Sequence, residues 1–141
     1  MENNILNFND GVEALKINGD ENRVIRFNPT NPNLLQKIDD VNKSIIDEIK
    51  KLDEDKTISD EQRFVLADEY IRKQIDYIFG AGTSVIVFEN TSSIATVNGQ
   101  YIYENFLIAV MEYMTQKVKI EAEASKKRVE EYTKKAEELK K

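Results

Sequence analysis

The chain has 141 residues, of which 40% are hydrophobic and 33% charged, room for one domain built around one core. It contains no Cys, His or Trp, which removes disulfides, thiol and imidazole catalysis and the common zinc sites together. The formal charge of -6 divides into about -8 on residues 1–118 and +2 on 119–141, so the body lacks the clustered cations that nucleic-acid binding requires.

No apolar run approaches the roughly 20 residues that span a bilayer. The opening Met1-Glu2-Asn3-Asn4 lacks the basic start and apolar stretch of a secretion signal, so an intracellular protein without membrane contact is expected.

Val12 to Asn18 and Arg23 to Phe27 are short and rich in Val, Ile and Phe, with Gly19-Asp20-Glu21-Asn22 between them. This predicts a β-hairpin with a loop of about four residues. A lone hairpin is marginal in water, so it must pack on helices or pair with another chain.

In "NPTNPNLL", Asn31 suits a helix N-cap and Pro32 the first helical position, where a missing N–H costs nothing. Leu34, Leu35, Ile38, Val41, Ile45, Ile49 and Leu52 then recur at mostly three- and four-residue spacing, which predicts an amphipathic helix. Ser59 followed by Gln62 forms a capping-box pattern with Asp60 and Glu61 in the first turn, which predicts the start of a second helix. Its apolar positions are Phe64, Leu66, Ala67, Tyr70, Ile71, Ile75, Ile78 and Phe79.

Gly80 falls where that helix should end, in a left-handed cap, and Thr83 or Ser84 is expected to cap a short helix through Phe88. The linker "ENTSSIATVNG" is polar and ends in the turn pair Asn98-Gly99. From Tyr101 an apolar helical pattern begins as the central core helix and shows no stop.

Leu107, Met111, Met114, Val118, Ala122, Ser125, Val129, Tyr132, Ala136 and Leu139 carry the three-four spacing to the C-terminus. Glu123 with Lys127, Glu130 with Lys134 and Glu131 with Lys135 are expected i, i+4 pairs. The organisation expected is a mainly α (α+β) domain over 1–118, with an N-terminal β-hairpin and a small helical bundle, and a projecting charged helix over 119–141. The seam of that extension is too poor in Leu and Ile for a strong autonomous coiled coil. It is either a solvated single helix or one that docks on a partner or another copy.

Motifs for chemistry are weak. Gly80-Ala81-Gly82 lacks the Gly-Lys-Ser/Thr ending of a P-loop and follows no strand, so a break between helices is the better reading. "DEDKTISDEQRF" begins like a calcium loop, but Ile58 and Phe64 stand where Gly and Glu are required. No carboxylate sits in an apolar sequence context beside a nucleophile, so no catalytic residue, cofactor or metal is expected. Tyr101, Tyr103, Phe106 and Tyr113 lie among Glu104 and Glu112 rather than basic residues, which favours a core role over base stacking. The sequons at Asn42 and Asn90 carry no meaning without a secretion signal.

Two stretches carry a resemblance, "ALKINGDENRVIRFNPTNPNLLQKI" from Ala14 to Ile38 and "IDYIFGAGTSVIVFENTSSIATVNGQYIYENFLIAVMEYM" from Ile75 to Met114. With the final "KRVEEYTKK", they resemble small tail assembly chaperones of tailed phages and prophages of Gram-positive bacteria. Residues from Lys43 to Leu66 match by pattern alone.

The resemblance implies a nonenzymatic protein of the host cytoplasm, absent from the mature virion. It would bind the tape-measure protein, recruit tail-tube protein, and then leave. No residue roles transfer with it. The candidate partner contacts inferred from spacing are Leu107, Met111, Met114 and Val118, with Val129, Tyr132 and Leu139 on the projection. The first group also suits a core. The hairpin edge or the C-terminal helix are expected routes to a homo-oligomer.

Two other readings compete: an acidic inhibitor of a host defence protein, using Asp39, Asp40, Asp47, Glu48, Asp53, Glu54 and Asp55 as a nucleic-acid mimic, and a permanent tail subunit.

Overall fold

The computed structural model describes residues 4–140. It is mainly α with a small β component, as the patterning predicts. Strands β1 (Glu13–Lys16) and β2 (Val24–Phe27) form an antiparallel hairpin, with Leu15 opposite Ile25 and Glu13 opposite Phe27. Alternation puts Ile25 and Phe27 on the buried face.

The strands are shorter than predicted. Ile17–Gly19 leaves the ladder as a turn of 3-10 helix with Asn18 at φ 52°, and Asp20 Oδ1 accepts the Asn22 N–H at 2.9 Å. Short polar side chains that bond to nearby backbone compete here with strand extension.

Helix α1 (Pro32–Glu54) begins where predicted, with Asn31 Oδ1 accepting from Asn33 N–H at 3.0 Å. Helix α2 (Asp60–Phe79) begins with the complete capping box: Ser59 Oγ accepts from Gln62 N–H at 3.1 Å, and Gln62 Oε1 accepts from Ser59 N–H at 2.9 Å. The pair pack as a helical hairpin through Ile38, Val41 and Ile45 of α1 and Ile71 and Ile75 of α2, all buried. Leu35, Phe64 and Leu66 have helical spacing but are exposed, so the buried stripes are narrower than the sequence suggested.

Gly80 ends α2 at φ 114°, ψ 155°, an extended conformation open to glycine rather than the expected left-handed cap. Helix α3 (Thr83–Phe88) is not capped by its own hydroxyls: Gly82 is the N-cap, and the Asp76 carboxylate on α2 accepts the Ser84 N–H at 2.7 Å. A carboxylate from another helix thus occupies the place that a phosphate-loop reading would leave to a ligand.

Strands β3 (Thr96–Val97) and β4 (Gln100–Tyr101) flank the Asn98-Gly99 turn, with both residues at positive φ. The turn was legible in the sequence, whereas the two-residue strands were not. Helix α4 (Ile102–Leu139) follows at once and, at about 1.5 Å per residue, is about 57 Å long.

Aromatic contacts tie the hairpin to the helices. Phe27 meets Phe79 at 5.4 Å between centroids, Phe79 meets Phe106 at 5.5 Å, and Phe106 meets Phe88 at 6.1 Å. Each such pair adds about 0.5–1.5 kcal/mol beyond area burial. The hairpin therefore rests on α2, α3 and α4 and does not stand alone.

Candidate functional site

Helix α4 carries two apolar stripes about 100° apart, the angle between successive helical residues. One comprises Tyr103, Leu107, Val110 and Met114, all buried against the body. It ends there, because the next position on that face is Lys117, whose Nζ pairs with Glu13 Oε1 at 3.1 Å.

The other stripe runs through Ile108, Met111, Thr115, Val118, Ala122, Ser125, Val129, Tyr132, Ala136 and Leu139. These ten residues alternate steps of three and four over about 46 Å, the spacing of a coiled-coil seam. Every one is exposed: Ile108 43%, Met111 42%, Val118 44%, Val129 63%, Tyr132 77% and Leu139 87% among the large ones.

This corrects the predicted contact set. Leu107 and Met114 belong to the core and are closed to a partner in this fold. Met111, Val118, Val129, Tyr132 and Leu139 are open, and Ile108 joins them although the spacing had favoured Leu107 in its place. Stepping from Met111 to Met114 changes stripe, whereas stepping from Met111 to Thr115 does not.

At its base the seam widens into a surface concavity of about 580 Å³ between α1 and α4, lined by Ile46, Ile49, Tyr101, Leu107, Ile108 and Met111 among others. Ile46 is exposed and supplies an apolar flank from α1. Beyond Val118 the body makes no contribution, and residues 119–140 are all exposed. The expected Glu–Lys pairs of the extension do not close: among the described residues the i, i+4 ion pairs are Asp39 with Lys43 and Asp68 with Arg72.

The root of the extension is fixed by a polar cluster that sequence spacing could not reveal. Tyr113 Oη donates to Glu13 Oε1 at 2.9 Å, and Lys117 pairs with the same carboxylate. The Tyr113 hydrogen bond and then Lys117 hold the Glu13 carboxyl below its usual range, while partial burial raises Tyr113 and Glu13 raises Lys117. Tyr103 lies deeper, and burial pushes its phenol up to about 12.

Three arginines hold the connections. Arg23 donates to the Ile86 and Val87 carbonyls at the end of α3, Arg63 to the Leu52 and Asp55 carbonyls at the end of α1, and Arg72 to the Glu89 and Thr91 carbonyls. Asp68 in turn accepts from both the N–H and the hydroxyl of buried Ser93. These cations and acids are committed to backbone and to one another.

A second apolar concavity, about 470 Å³, lies between the hairpin and α4 and is lined by Leu15, Ile17, Phe27, Phe106 and Tyr113 among others. The outer edges of the hairpin pair with no further strand among the described residues. Among those residues there is also no cluster of three or more His, Cys, Asp or Glu placed to hold a metal ion, and no helix long and apolar enough to cross a membrane.

Comparison with protein-family models, curated proteins and solved structures finds no match.

Proposed function

We propose that the chain is a nonenzymatic tail assembly chaperone of a tailed phage or prophage, which binds the tape-measure protein and helps recruit tail-tube protein in the cytoplasm of the host cell. One observation carries the reading: an apolar seam of coiled-coil spacing that starts on the body and continues about 30 Å past it, with no partner among the described residues. An isolated helix is marginal in water, and a long exposed apolar seam favours a binding partner. A long amphipathic helix awaiting assembly is such a partner. The resemblance of Ala14 to Ile38 and Ile75 to Met114 supplies the biological setting.

The acidic residues of α1 give less support to the inhibitor reading. Asp39 pairs with Lys43, Asp40 accepts from Gln36, and Lys43, Lys50 and Lys51 interrupt the acids along the helix.

The test is copurification of the tagged protein from infected or prophage-induced cells, with finished particles assayed in parallel. Recovery of tape-measure or tail-tube protein, and none of the chain in particles, supports the reading. Stoichiometric presence in particles makes it a permanent tail subunit, and recovery of a host defence protein makes it an inhibitor.

A further inference from the structure

Coiled-coil positions a and d of the exposed stripe are fixed by its spacing, with Ile108, Thr115, Ala122, Val129 and Ala136 at a and Met111, Val118, Ser125, Tyr132 and Leu139 at d. The flanking e and g positions then follow for the projecting part: Lys119, Lys126, Thr133 and Lys140 at e, and Glu121, Arg128 and Lys135 at g. Five of these seven are cations and one is a carboxylate. The remaining glutamates, Glu123, Glu130, Glu131, Glu137 and Glu138, fall at b and c, away from the seam.

The extension is thus nearly balanced in total charge yet sorted around its axis, with a basic border beside the apolar seam. The i, i+4 reading from spacing sees the Glu–Lys pairs and misses this sorting.

Resting on the helix-client reading above, we infer that the partner of the extension is an amphipathic helix bordered by Asp and Glu at e and g, with bulky aliphatic residues at a and d. Charge complementarity supplies the first half. Packing supplies the second, because Ala122, Ser125 and Ala136 make a shallow seam that accepts large side chains from the other side.

A second copy fits less well. In a parallel pair Lys135 would face Lys140 of the other copy, and one favourable pairing, Glu121 with Lys126, is repeated only by symmetry. In an antiparallel pair the e positions would face one another with three lysines each. In the parallel pair Ala122, Ser125 and Ala136 would each meet their own counterpart and leave those layers underpacked. Nearer the body the border changes sign at Glu112, so the acidic stretch of the client lies along the projection, where residues 1–118 do not repel it.

The test uses the full chain and two synthetic four-heptad peptides, alike in carrying Leu at a and d but with Glu or Lys at all e and g positions, each followed by fluorescence anisotropy. The Glu peptide should bind about tenfold or more tightly, with an advantage that shrinks as salt rises, since exposed charges are screened over about 8–10 Å. The triple variant Lys126→Glu, Arg128→Glu, Lys135→Glu should reverse the preference while leaving the thermal midpoint of the body unchanged.

Equal binding of both peptides would overturn the charge inference and leave the helix-client reading standing. Binding of neither would remove the seam as a docking face and with it the observation behind the proposed function. Self-association of the full chain that is lost in Val129→Asp would overturn the inference in favour of a second copy.

Discussion

Met111 and Met114 sit three residues apart on one helix with 42% and 1% of their surfaces exposed, so truncating each to alanine separates the two stripes of α4. Met114→Ala removes a fully buried thioether end. At about 0.8 kcal/mol per methylene-sized group the transfer loss is about 2.5 kcal/mol, and the cavity left behind brings the cost into the range of about 2–5 kcal/mol. For a chain of this size that lowers the thermal midpoint by about 10 °C.

Met111→Ala removes the same atoms from a side chain already nearly half in water, and its cost is about 1 kcal/mol. Urea unfolding of both variants, followed by circular dichroism, gives the two free energies. Capture of the helical peptides described above should fall in Met111→Ala and be retained in Met114→Ala at temperatures where that variant stays folded. Equal destabilisation by the two substitutions would refute the division of α4 into a core stripe and an open seam.

Deleting residues 120–141 should leave the unfolding free energy of the body, measured in urea, unchanged to within about 0.5 kcal/mol, because residues 119–140 are all exposed, while capture of the Glu peptide is lost. Ser59→Ala removes the acceptor for Gln62 N–H and should cost about 1 kcal/mol, seen as a midpoint lower by a few degrees. The Glu13 carboxyl is held below its ordinary value of 4.5, so its stabilisation is present above about pH 4.5 and lost as pH falls through the folded value. The stability difference between the natural chain and Glu13→Gln, measured by urea unfolding, should therefore shrink on acidification. The shift of Tyr103 has the opposite sign: its contribution is present below pH 10 and lost as pH rises through about 12. Ultraviolet titration should show a late-titrating phenol that Tyr103→Phe removes.

Much of the fold was legible because its signals are local. Asn31-Pro32, the Ser59 and Gln62 pair and Gly80 each act on backbone within a turn, and they place the starts of α1 and α2 and the end of α2. The uninterrupted spacing from Tyr101 likewise announces a long helix, and the sparseness of large aliphatics after Val118, where Ile120, Val129 and Leu139 stand among many charged residues, announces that its end is not core.

What spacing could not decide is which side of a helix meets the protein. Leu107 and Ile108 are both apolar and adjacent, and each begins a run of three-four steps. The choice between them belongs to the surface on which α4 lies, formed by α1, α2, α3 and the hairpin, which buries Leu107 and Met114 and leaves Ile108 and Met111 open. The same limit applies to Phe64 and Leu66, apolar but exposed on α2, and to Asp76, which caps a helix other than its own. Periodicity fixes a face within one element, whereas only packing between elements fixes which face is covered, because burial is a property of two surfaces and not of one.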